Sequence, residues 1–544
     1  MRPDNFDRRF RHWPCFVDNP NRLIIVEPVS SEKMSSTEES VQDRTLTPAV
    51  KKLIMELVHR FGQKRHDLLA DRAVARAVLS AGGVDFRKET THVRRSDWTV
   101  DPLPDALQER RVELIGGGHR SELINGLNAG AKTYIADLWN FTPNDTWNIL
   151  RAHRSLERAA KLELACLDTE EGRVRVNPNT ATRLMVVPRP LFAVEGALML
   201  DDEPVPAAFF DLAMLMQNCA ASWIAKQGGV YLYLRDVHGH LEARLWEQVF
   251  DLLEEQADMP RGTIRATVMI DSITGALEAD EILFELMHHA AGMSLDPQGY
   301  AADHVALFHG ADRPVLPDRE TIVLNAPMLR ALSLRIIGVC HRRGCHAIGA
   351  PSFVLPPLVR ERMKSSYLEM LGDKEREAVD GFDGTIVVDS DSVNPAMVEF
   401  NKSMPRANQL YYLRNDDIRP SDLIQRPEGS ITVESLVGMI RTTLRYMVER
   451  KEGRGWVIQG GRKHDRSSLR LALRLLWQWN QSTAGVITAT GLEVRDHLIR
   501  FLVRKESEKM FADSDEHTRK LAAAAMERML DSVLAPEVPM EPAN

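Results

Sequence analysis

Three acidic residues stand where an apolar run gives way to a loop or where a helix is about to begin. A carboxylate in such a place can bind a metal, hold a proton or cap a helix. Asp271 closes the run IRATVMID, Asp296 follows AAGMSL, and Asp465 precedes SSLRLALRLLWQW. Taken alone, an Asp ahead of a helical Ser-Ser-Leu run serves as an N-cap. Arg189 ends TRLMVVPR; its charge is permanent and it can donate to two oxygens at once, which suits either an anionic transition state or a structural ion pair. Cys340-His341 and Cys345-His346 are too close in sequence to fit a tetrahedral zinc site well and read as a strand-and-loop segment. Gly116 to Gly118 follow an apolar run but lack the spacing of a phosphate-cradling loop.

The elements that must position these side chains are legible as alternation. AKTYIAD, TRLMVVPR, GVYLYLRD, IRATVMID, AAGMSL, GCHAIGA and GTIVVDS are short, apolar and each followed by a helical or loop segment. Buried parallel strands with helical crossovers have this pattern, and for seven or eight of them a closed (β/α)8 TIM barrel, an α/β fold, is the economical answer. Residues 105–419 are assigned to it. Before them, 46–104 read as helical, with Thr47 as N-cap, Pro48 in the first turn and a pair of helices expected. Residues 1–45 are polar and irregular and are expected to be a flexible lead. From 420 to 544 the segments ITVESLVGMIRTTLRYMVERK, SSLRLALRLLWQWNQS and EHTRKLAAAAMERMLDSVL suggest an all-helical cap over the barrel mouth.

Composition narrows the function classes. The 544 residues are 44% hydrophobic and 27% charged, with net charge −8, which suits a large soluble enzyme and offers no basic field for nucleic acid. No apolar run reaches the roughly 18–20 residues a membrane span needs, and the first residues lack the core of a signal peptide. Five scattered cysteines are consistent with thiols in a reducing, cytoplasmic setting. The expected partners are small molecules, with no nucleic acid and no membrane.

Several of these segments together resemble the malate synthase family in its shorter, A-type form, over nearly everything from Leu46 to about Leu534. The resemblance is carried by PRGTIRATVMIDSITGALEADEIL, by RRVEL and INGLNAGAK, by VVPRPLFAVEG and by GRKHDRSSLRLALRLLWQW. It implies a TIM barrel with an N-terminal helical clasp and a C-terminal helical cap. It also implies a reaction: acetyl-CoA loses a methyl proton, the enolate attacks glyoxylate or a similar 2-oxo acid, and the thioester is hydrolysed. By position in those motifs Arg189 would steady the enolate and Asp465 would be the base. A Mg²⁺ ion would polarise the 2-oxo acid, held by two acidic side chains.

The departures from the family pattern cluster at this chemistry. Asp271 stands where the family usually has Glu. Gly299 occupies the place of the second metal ligand, and Asp296, three residues earlier, is the nearest substitute. An acidic pair expected near the metal reads Trp139 and Asn140, and the acidic residue before the base is His464. A His-Pro-Gly turn on the acyl-CoA side is replaced by Asp389, Ser390 and Asp391. Two further readings follow: a member that has lost catalysis and binds a ligand or partner, or an enzyme with the same base and another electrophile, weakly or not at all dependent on metal.

Overall fold

The computed structural model describes residues 23–25, 45–168, 172–357 and 365–538. Most of the expected flexible lead, 1–45, lies outside the described residues. Its one described stretch, Leu23–Ile25, pairs antiparallel with Val194–Leu200 on a hairpin beside the barrel.

Eight strands form a closed ring in chain order: β1 Val112–Gly116, β2 Thr133–Asp137, β3 Arg183–Val187, β4 Val230–Leu234, β5 Ile264–Ile270, β6 Ala290–Leu295, β7 His346–Ser352 and β8 Gly384–Val387. Every neighbouring pair is parallel. Alternation along each strand divides the apolar residues. Ile115, Ile135, Met185, Tyr233, Met269 and Ile386 fill the interior, while Leu114, Leu184, Leu232 and Val268 join the helices outside. Arg110, also inside, donates to Glu113, Thr267 and the Tyr233 hydroxyl. A barrel packed in this way is closed to ligands, so chemistry is confined to the C-terminal ends of the strands.

In the N-terminal region, where a pair of helices is expected, a five-residue helix at Thr91–Arg95 follows one long helix, α1 Pro48–Ser80, which dominates. Gly62 does not break it, since the helix is held by Val50, Leu53, Ile54, Leu57 and Phe61, buried at three-and-four spacing. Thr47 caps it through a hydrogen bond from the Val50 amide.

The cap also departs from expectation. Helices α2 Val433–Lys451, α3 Arg466–Gln481, α4 Asp496–Phe511 and α5 Glu516–Val533 dominate it, but two short hairpins lie between them. The first pairs Val457–Gln459 with Arg462–His464. Gly460 and Gly461, at φ 61° and 77°, supply the left-handed turn that a two-residue hairpin needs. This hairpin is tied to the loop after β7, because Lys463 donates to the Phe353 carbonyl and Leu355 to that of Gly461. Among the described residues no helix is long and apolar enough to cross a membrane.

Candidate functional site

The hairpin ends at His464, and Asp465 caps α3 immediately after it. Its Oδ1 accepts from the Ser468 amide at 2.9 Å. Its Oδ2 is buried and has no hydrogen-bond partner. One oxygen therefore does the work of a cap while the other is left available to move a proton. Burial, and then the neighbouring Asp296 carboxylate, push the carboxyl up to about 7, against the opposing influence of the Ser468 amide and Arg235. A carboxyl poised near neutrality has the ionisation a general base requires.

Asp296 follows β6 and caps a further helix, Pro297–Leu307. Its Oδ1 accepts from the amides of Gln298 and Gly299, at 3.1 and 2.9 Å. Its Oδ2 accepts from Arg235 Nη1 at 2.8 Å and Ser467 Oγ at 2.9 Å. Arg235, just past β4, also donates from Nε to Asp137 at 3.1 Å. Asp137 ends β2 and receives the amides of Trp139 and Asn140 through its other oxygen. The peptide after the base is fastened to the same loop, where the Arg466 amide donates to the Asn140 carbonyl and the Arg466 guanidinium lies 3.7 Å from the centre of the Trp139 ring.

Asp271, at the end of β5, accepts the Asp236 amide on Oδ2, while its buried Oδ1 has no partner. Burial and the charge of Asp236 push its carboxyl well above the usual range. For Asp236 burial acts in the same direction, but His238, Arg470 and Arg72 outweigh it and hold the carboxyl far below. Asp236 has a left-handed backbone, φ 54°, and its carbonyl accepts from Arg72 of α1 at 2.9 Å. The clasp thus reaches the barrel mouth.

Arg189 makes its hydrogen bonds to residues outside this cluster. Its guanidinium donates to Asp211 through Nε and Nη2, and through Nη1 to Glu195 and Asn144. Two carboxylates offset its single charge, and it shares no hydrogen bond with Asp465. Among the cations whose fields reach Asp465 are Arg235, Arg319 and Lys463. His464 accepts from Arg319; burial, and then that guanidinium, hold it well below its usual range and so neutral. Asp389 caps the turn Ser390–Ser392 after β8, and Gly117 donates to Glu122 of the chain itself.

The residues at the family's metal position do not fit a divalent ion. Gly299 has no ligand to offer, and a Cβ added there would come 2.8 Å from Asp271 Cβ, 2.9 Å from Arg470 Nη2 and 3.1 Å from Asp296 Cγ. Both Asp296 oxygens are already engaged by donors. Sequence reading singled out Asp271, Asp296 and Asp465 but missed Arg235, Asp236, Ser467 and Arg470. The adjacent charges closing GVYLYLRD were a usable signal, being at the C-terminal end of a barrel strand. Arg470, within an amphipathic helix, gave none.

Comparison with known proteins follows the same lines. Residues 183–426 match the family described as malate synthase, TIM barrel domain. The chain is similar to malate synthase of Streptomyces clavuligerus, 35% identical over 86% of this chain and 88% of that protein. It is 32% identical to malate synthase of Myxococcus xanthus over 89% of each chain. Malate synthase A of Escherichia coli is 29% identical over 87% of this chain and 89% of its own length.

Proposed function

Because the chain belongs to the malate synthase family, we propose that it condenses acetyl-CoA with glyoxylate, or a similar 2-oxo acid, and hydrolyses the thioester. Asp465 is the base of this reading, and the observation that carries it is the buried, partnerless Oδ2 of a carboxyl held near 7. That oxygen takes a methyl proton, and the C–H electron pair becomes the enolate. The enolate carbon bonds to the aldehyde carbon, whose oxygen takes up a proton. Water then adds to the thioester carbonyl and CoA leaves as the thiol. Negative charge develops on the thioester oxygen in the first step and calls for a fixed cation. Arg189 is assigned to it by its place at the end of β3, and Arg235 supplies the positive field at the base itself.

Acyl-CoA is polyanionic, and a cavity of about 460 Å³ beside α3 suits it. Arg151, Arg450, Lys451, Arg466 and Arg528 line this cavity against the carboxylates of Asp145 and Glu452. Burial, then Arg528 and Arg450, hold the Lys451 ammonium below its usual range, as expected of crowded like charges. Arg466 follows Asp465 directly in the chain, so the cavity adjoins the base. Free thiols at Cys166, Cys219, Cys340 and Cys345 support a cytoplasmic setting.

The test is release of CoA thiol from acetyl-CoA in the presence of glyoxylate. Wild type releases it, and Asp465→Asn, with its fold intact by circular dichroism, slows release about 10²–10⁴-fold. A variant as fast as wild type would show that the base lies elsewhere.

A further inference from the structure

Five buried carboxylates converge at the barrel mouth: Asp137, Asp236, Asp271, Asp296 and Asp465. Such a collection is tolerated only if cations or protons compensate it. In a site built on two acidic ligands a divalent ion does part of that work. Here guanidiniums stand beside the carboxylates: Arg72 donates to the Asp236 carbonyl from outside the barrel, and Arg235 and Arg470 lie among the carboxylates themselves. Arg235 links Asp137 and Asp296 at 3.1 and 2.8 Å and also lies within the fields of Asp465 and Asp271. Arg470, from α3, has Nη1 3.5 Å from Asp236 Oδ1 and lies within the field of Asp271. Its Nη2 is 2.9 Å from the point where a side chain at residue 299 would begin.

We propose that Arg235 and Arg470 are built-in cations that take over the charge of a divalent metal, so that this site needs no metal to hold its carboxylates or to bind the 2-oxo acid. The loss of a ligand at 299 and the presence of Arg470 are one structural event, because the glycine leaves the room that the guanidinium occupies. Arg235 commits Nε and Nη1 to the chain's own carboxylates, and Nη2 makes no hydrogen bond among the described residues. That nitrogen is the donor left for a substrate carboxylate or carbonyl oxygen. Asp236, His238 and Asp271 are the competing arrangement, since their potential ligand atoms lie within 4.8 Å of one another. Arg470 and Arg72 already supply two positive charges to that trio, which disfavours a third cation there.

The charge replacement rests on the distances of Arg235 and Arg470 from the carboxylates and from residue 299; its catalytic consequence rests on the condensation proposed above. Mn²⁺ titration followed by electron paramagnetic resonance tests the first part on the full chain. Wild type is expected to leave Mn²⁺ free. The double variant Gly299→Asp/Arg470→Ala, which returns a carboxylate and clears its space, is expected to bind at least about tenfold tighter. Stoichiometric Mn²⁺ binding by wild type that is lost in Asp271→Asn would overturn the proposal, and this arm decides even if the double variant does not fold. Release of CoA by wild type in excess chelator tests the second part. An undiminished rate supports it, and a rate that falls with chelator and returns with Mg²⁺ overturns it. No release under either condition counts against the condensation, while the Mn²⁺ titration still decides the charge replacement.

Discussion

At the scale of single residues, Asp465 shows how one side chain can satisfy two readings of the same sequence. The cap predicted from its place ahead of Ser-Ser-Leu is made by Oδ1, and Oδ2 is left without a partner, which is what the proposed base would need. Its folded midpoint near 7 lies above the ordinary 3.8, so the folded chain binds a proton that the unfolded chain has released between those values. Its contribution to stability is therefore full in acid, below the ordinary value, and is lost as pH rises through about 7. Asp465→Asn never ionises. It is expected to match wild type in acid and to exceed it above pH about 8, by an order of a few kcal/mol, as read from denaturant unfolding across pH. A pH-independent difference would show that the carboxyl is not held near 7. The rate of CoA release should rise with pH through the same midpoint, because the base must be ionised. Arg235 escaped sequence reading for a physical reason: its partners Asp137 and Asp296 lie 98 and 61 residues away, and only ring closure brings them together.

At the scale of elements, strand alternation was easy to read because each barrel strand is a compact apolar run set off from the next by helices, hairpins or loops. The three-residue strands Val457–Gln459 and Arg462–His464 are too short to show a period of two, which is why the cap read as all helical. The signal available was the Gly460-Gly461 pair between them. That hairpin carries the chain from α2 to Asp465, and its turn requires left-handed backbone at both glycines. Gly461→Ala should cost about 1–2 kcal/mol of stability. Because the strain falls four residues before the base, kcat should drop by about tenfold while KM for glyoxylate changes little. Unchanged kcat, with the stability loss present, would mean that contacts of α3 position Asp465 without the hairpin.

At the scale of the whole molecule, the site belongs to no single domain. Arg72 comes from the clasp helix, Asp137, Arg235, Asp271 and Asp296 from the ends of four barrel strands, and Asp465 and Arg470 from the cap. The basic cavity is shared in the same way, since Arg151 stands on the barrel side and Lys451, Arg466 and Arg528 on α2, α3 and α5 of the cap. Composition gave no hint of it, because a chain of net charge −8 can still gather five cations where separate elements meet. If that cavity receives the phosphates of acyl-CoA, Arg528→Glu should raise KM for acetyl-CoA by about tenfold, a change near 1.4 kcal/mol, with kcat little altered. The effect should shrink as salt is added, because a charge at the cavity rim is screened within about 8–10 Å. A short acetyl thioester lacking phosphates makes the control. Its KM should be the same for wild type and variant, whereas an equal rise for both substrates would show that Arg528 supports the cap and does not meet the cofactor's charge.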